Sequence, residues 1–180
     1  MYEYIPTYSR KKERLTVFTL LSLAVVLLVV SRIEEIPFPA LWQLAAVCVL
    51  TGMVTVLCRF WLRSYIYRVS PQEDNLSGTM DLIVVERLRG RDQVVCRVSV
   101  SDIESITPIT PSIKSELRKK RRGSRVWLYY AELSAPNLYQ LTVRDDDDVF
   151  FLLIQSDQTL ISVLKSTREQ YLSSTHKILS

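Results

Sequence analysis

LTVFTLLSLAVVLLVVS (residues 15–31) and IPFPALWQLAAVCVLTGMVTVLC (residues 36–58) hold no charged side chain, and only Arg32, Ile33, Glu34 and Glu35 separate them. A bilayer core takes about 20 apolar residues as helix, within a range of roughly 17 to 25. Lipid offers the backbone no hydrogen-bond partner, so a helix that satisfies its own N–H and C=O groups is the natural way for each stretch to cross. The first stretch has no periodic polar face, as expected of a helix wetted by lipid all round. A cleaved signal peptide also has a basic start like Arg10, Lys11, Lys12 and Arg14,. However, no small-x-small cleavage site follows Val30 and a second apolar stretch comes at once. The reading is a membrane-embedded helical hairpin spanning residues 15–63, preceded by an N-terminal segment of residues 1–14.

Working outward, Arg10, Lys11, Lys12 and Arg14 precede the first stretch and Arg59, Arg63 and Arg68 follow the second, while the connecting loop has Arg32 beside two glutamates. Flanking cations stay on the cytoplasmic side, which predicts a multi-pass protein of the cytoplasmic membrane with both termini inside. Pro37 and Pro39 sit where the second helix would begin, a place where a missing N–H costs little. Trp42 at one end, and Trp61 with Tyr65 at the other, suit the membrane interface. Gly52 and Thr55 are small enough for close helix packing, against the first span or a second copy. Cys48, Cys58 and Cys96 lack metal-ligand spacing and read as small buried hydrophobes,.

Residues 64–173 have the length of one compact domain, with a tail at 174–180. YIYRV (65–69) continues directly from the second helix, leaving little tether. DLIVVERL (81–88) is β-branched and apolar, and residues 89–92 read as a hairpin turn. Val94, Cys96, Val98 and Val100 alternate with Val95, Arg97 and Ser99, a strand period,. Short strands are predicted at 103–106, 126–133 and 138–143, and a buried one at VFFLLI (149–154). The period then changes to helical: Leu160, Ile161, Val163, Leu164, Thr167, Arg168, Tyr171 and Leu172 share one face, after Ser156 or Asp157 as N-cap,. The fold class is therefore α+β: a transmembrane hairpin, then an antiparallel β barrel or sandwich closed by a C-terminal helix.

The run YIYRVSPQEDNLSGTMDLIVVERLRGRDQVVCRVSVSDIESI resembles the opening of bacterial pleckstrin-homology-like domains, and SDQTLISVLKSTREQYL resembles their closing helix. The whole chain is similar to bacterial small membrane proteins in which two spans precede such a domain. The resemblance implies a binding or scaffolding module, and the reading of the chain is non-enzymatic with no cofactor.

KSELRKKRRGSR (114–125) is the sharpest local feature. Lys114, Arg118, Lys119, Lys120, Arg121, Arg122 and Arg125 face the single acid Glu116. Near an anionic membrane each such cation contributes about 1 kcal/mol before screening. The loop is a candidate contact for anionic phospholipid headgroups or for a protein partner, against the alternative of a solvated charged loop. Nucleic acid is disfavoured, because the run lacks interleaved aromatics. Asp145, Asp146, Asp147 and Asp148 read as a hairpin turn rather than a metal loop, since neighbours in an extended run point apart. They could instead pair with the basic run of the same or a neighbouring chain. Catalysis has little basis: His176 lies in the predicted tail, and no nucleophile elbow or phosphate-cradling glycine loop occurs,. Trp127, Tyr129 and Tyr130 could stack on a ligand or fill a strand core. The expected partners are the membrane itself and a protein partner or second copy. The rival function is an accessory subunit of a transport or secretion assembly, acting through its spans.

Overall fold

Pro39 stands at the first position of the second helix, where its absent N–H leaves no intrahelical bond unmade,. The computed structural model describes residues 1–33, 36–72, 79–110, 115, 119, 123–132, 135–145 and 148–179, with side chains up to residue 173. The chain divides into two compact units. One is Tyr8–Ser64 with Ala131–Ser134; the other is Met1–Thr7, Tyr65–Tyr130 and Ala135–Ser180.

The first unit is a helical hairpin. α1 (Lys11–Val30) has 20 residues, and α2 (Pro39–Val56) runs on through a π-helical turn at Leu57–Trp61 to make a rod of 23. At 1.5 Å per residue each rod reaches about 30 Å, the thickness of a bilayer core. Both are long and apolar enough to cross a membrane. Their apolar side chains point outward: Leu15 is 70% exposed, Phe18 62% and Leu44 61%. Burying one such side chain is worth about 1.5–3 kcal/mol, so water is a poor solvent for this surface. The seam between the helices is narrow and lined by small side chains, with Ala24 and Ala46 fully buried beside Val17. Ser31 closes α1, its N–H bonding Leu27 O at 3.0 Å and its hydroxyl bonding Leu28 O at 2.7 Å.

Among the described residues, two four-stranded sheets and a helix make the second unit. The first sheet has the order β1 (Tyr2–Tyr4), β2 (Arg63–Pro71), β3 (Met80–Leu88), β4 (Arg91–Ser99). β1 lies within the stretch read from sequence as a plain N-terminal segment. It pairs antiparallel with β2, Tyr2 opposite Val69 and Tyr4 opposite Tyr67, and the Glu3–Arg68 ion pair at 2.7 Å crosses the same rung. Three residues are too few to show a period, which is why the strand was not legible. The β3–β4 hairpin turns on Arg89 and Gly90, both at positive φ (51° and 82°), the two-residue geometry that matches strand twist,. Arg87 grips Asp92 with two bonds of 2.7 and 2.8 Å beside that turn.

The second sheet has the order β5 (Ile103–Pro108), β7 (Leu138–Asp145), β8 (Asp148–Gln155), β6 (Arg125–Tyr129). β5–β7 and β7–β8 are antiparallel, but β6 runs parallel to β8. The architecture is thus α+β with mostly antiparallel sheets, and the all-antiparallel expectation is corrected at this pair. The physical reason lies in β8: Phe151 through Ser156 are all buried, so backbone N–H and C=O groups on both edges of the strand are out of water and need strand partners,. β7 takes one edge and β6 the other.

α3 (Gln158–Leu179) follows, with Asp157 Oδ1 accepting the Leu160 N–H at 2.8 Å as its N-cap,. The helix continues to Leu179, past the predicted end at residue 173. Buried side chains come from both sheets and the helix: Leu82, Val84 and Val98, then Ile103, Leu141, Leu152 and Ile154, then Leu160 and Leu164. One fully buried tyrosine ties them. The Tyr67 hydroxyl on β2 donates to the Tyr129 carbonyl on β6 and accepts the Gln155 N–H on β8 at 3.2 Å. The Tyr129 hydroxyl reaches back to Val95 O on β4 at 3.3 Å.

Candidate functional site

The β6–β8 pairing sets Arg125 opposite Phe150, and the β7–β8 turn sets Asp145 opposite Asp148. Together they open a cleft of about 410 Å³ at that end of the second sheet. Gly123, Ser124, Arg125 and Trp127 come from the start of β6; Asp145, Asp148, Val149 and Phe150 come from the β7–β8 turn. The size falls within the roughly 300–1,000 Å³ of small-ligand sites. Trp127 is 49% exposed, and its ring lies parallel to Tyr129 at 6.5 Å, so it presents an open aromatic face held from behind. Tyr129 is anchored in turn: burial, with Cys96 beside it, pushes its hydroxyl well above the usual phenol range. Burial likewise pushes the Cys96 thiol up, opposed by its hydrogen bond to Tyr129. A cleft lined by an indole ring, a guanidinium and two carboxylates can hold a planar or apolar group that carries charge,.

Of the basic run, Arg125 lines this cleft and Lys119 is exposed; Lys114, Arg118, Lys120, Arg121 and Arg122 lie outside the described residues. Asp146 and Asp147 lie outside them too. The acidic turn joins the antiparallel strands β7 and β8, and Arg125 shares a cleft with Asp145 and Asp148. Among the described residues no three His, Cys, Asp or Glu side chains group as metal ligands. Gly52 and Thr55 do not pack on α1. Both are exposed, and a Cβ at position 52 would meet nothing within 4 Å. The Thr55 hydroxyl bonds its own helix, at Thr51 O, 2.9 Å away.

Sequence reasoning missed a second cluster, at the end of the hairpin where α1 begins and α2 ends. Arg10, in the left-handed conformation at φ 45°, caps α1 and sends Nη1 to Trp61 O at 2.7 Å and Nη2 to Arg63 O at 3.3 Å. A helix leaves its last carbonyls without intrahelical donors, and Arg10 supplies donors there. The Arg14 guanidinium sits over the Trp61 ring at 5.6 Å, and Arg59 over Phe60 at 5.5 Å. Glu132 accepts the Ser9 N–H at 2.7 Å, and both Glu132 and Glu13 are buried. Nothing in the local sequence joins position 132 to position 9, which are 123 positions apart. Comparison with protein-family models, curated proteins and solved structures finds no match to this chain.

Proposed function

We propose that this chain is a membrane-anchored, non-enzymatic binding module. Its hairpin crosses the cytoplasmic membrane with both termini inside, and its two-sheet unit is a pleckstrin-homology-like domain that contacts a protein partner or an anionic lipid. The observation that carries the reading is the pairing of an outward-facing apolar surface on both helices with a polar unit whose cleft displays Trp127 beside Arg125. Two sheets followed by a C-terminal helix, with Leu160 and Leu164 buried, support the domain assignment. The test is purification of the full chain from native membranes in mild detergent, beside an Arg125→Ala/Trp127→Ala variant. The variant should extract with the membrane fraction and lose the co-purifying protein partner. A full chain found in the soluble fraction refutes the anchor, and an unchanged set of companions refutes the cleft.

A second reading, an accessory subunit of a transport or secretion assembly, is favoured by one observation: Gly52 and Thr55 lie exposed on α2, away from the Ala24–Ala46 seam. A small-residue face of this kind admits close approach of another helix in lipid. Under that reading Gly52→Leu with Thr55→Leu disrupts assembly, and changes at Arg125 and Trp127 do not.

A further inference from the structure

We infer that the cytoplasmic rim of the hairpin, and not the Arg125 cleft of the two-sheet unit, is where this protein binds anionic phospholipid headgroups. The inference rests on the hairpin spanning a bilayer, as proposed above. Positive flanks are required of any such hairpin by its orientation. What orientation does not require is the way the acids of this unit are put away. Lys11, Arg14 and Arg59 are exposed at the end where α1 begins and α2 ends. The acids of the same end, Glu13 and Glu132, are 3% and 5% exposed, and Glu132 is occupied by the Ser9 N–H. Among the described residues of this unit no carboxylate is exposed, so the outward charge of the rim has one sign.

Aromatic rings hold two of these cations. A guanidinium over a ring engages through its face and keeps its N–H edge for oxygen acceptors, so Arg14 over Trp61 and Arg59 over Phe60 are set for headgroup phosphates,. Trp61 is also the kind of side chain that settles at headgroup level. By contrast, Arg125 shares its cleft with Asp145 and Asp148, whose carboxylates repel a phosphate there. The attraction of an anionic surface fades within about 8 Å at cellular salt, which favours cations carried on the spanning helices themselves.

The experiment reconstitutes the full chain into nanodiscs of phosphatidylcholine mixed with phosphatidylglycerol. It measures, with spin-labelled lipids, the preference of the protein's boundary for the anionic over the zwitterionic species. Both leaflets have the same composition, so insertion direction does not enter. The wild type should prefer phosphatidylglycerol, less so in high salt. Lys11→Gln/Arg14→Gln/Arg59→Gln should lose most of that preference, several-fold, while Lys11→Gln/Arg14→Lys/Arg59→Lys keeps the larger part. Lys119→Gln/Arg125→Gln should leave it unchanged. Retention of the preference in the triple Gln variant, or its loss in the Lys119/Arg125 variant, overturns the inference. Failure of the wild type to enter nanodiscs of either lipid overturns the spanning reading instead. Should the triple Gln variant not reconstitute, Lys11→Gln alone must still show a measurable fall.

Discussion

Replacing Tyr67 by Phe removes one oxygen atom and keeps the ring that fills the core and stacks on Tyr4 at 6.2 Å. The lost hydroxyl serves two backbone groups on two different strands, the Tyr129 carbonyl and the Gln155 N–H. Tyr67 is fully buried, so water does not replace it. A hydrogen bond is worth about 1 kcal/mol net, but a buried group that loses its partner costs about 1–3 kcal/mol. Two such groups place the expected loss at about 2–6 kcal/mol, a large part of the 5–15 kcal/mol typical of a domain. The assay is urea unfolding of the full chain in detergent micelles, in a Trp42→Phe/Trp61→Phe background. Trp127 then reports on the two-sheet unit alone, through its parallel packing on Tyr129. With a slope of about 2 kcal/mol per molar urea, the midpoint should fall by about 1–3 M. An unchanged midpoint, with unchanged amide exchange at Gln155, would refute the idea that this hydroxyl ties the sheets.

Arg10→Ala should loosen the exit of α2 by about 1–3 kcal/mol, since the Trp61 and Arg63 carbonyls lose their guanidinium donors; faster amide exchange across Leu57–Trp61 checks it,. Asp157→Ala should cost the two-sheet unit about 1 kcal/mol by removing the N-cap of α3, read in the same urea experiment,. In a Cys48→Ala/Cys58→Ala background, the Cys96 thiol should alkylate more slowly at pH 8 than a free thiol and gain rate only at higher pH, because burial raises its ionisation,. Both Cys96 and Tyr129 are raised, so the folded unit holds their protons more tightly than the unfolded chain does. The stability this contributes is complete below about pH 8.5, the ordinary thiol value, and is lost as pH climbs past about 10; a pH series of urea midpoints should decline over that window and not below it,.

The two apolar helices were legible because each signal is local: an uncharged run of sufficient length needs no tertiary context,. The β3–β4 hairpin was legible for a similar reason, since Gly90 beside alternating Val and polar residues carries its own turn geometry. The Asp157 cap lies one residue before a clear helical period. The seam of the hairpin was not legible. Gly52 and Thr55 stand out by composition, yet Ala24 and Ala46 make the close approach, and composition does not say which face of α2 meets α1. β1 was too short to show a period.

What the residues determine by themselves is each element's kind and solvent: lipid-compatible helices, half-buried strands, a helix with one apolar face. That follows because hydrophobic patterning and turn chemistry act within a few neighbours. What only the tertiary structure decides is which distant elements share an edge or a rim. The parallel seat of β6 beside β8 brings Arg125 and Trp127 to Asp145 and Asp148. The seat of Glu132 under Ser9 leaves the rim of the hairpin with a single sign of exposed charge among the described residues. Both depend on long-range pairing, where each partner satisfies a burial or hydrogen-bond demand that its own neighbours in sequence leave open.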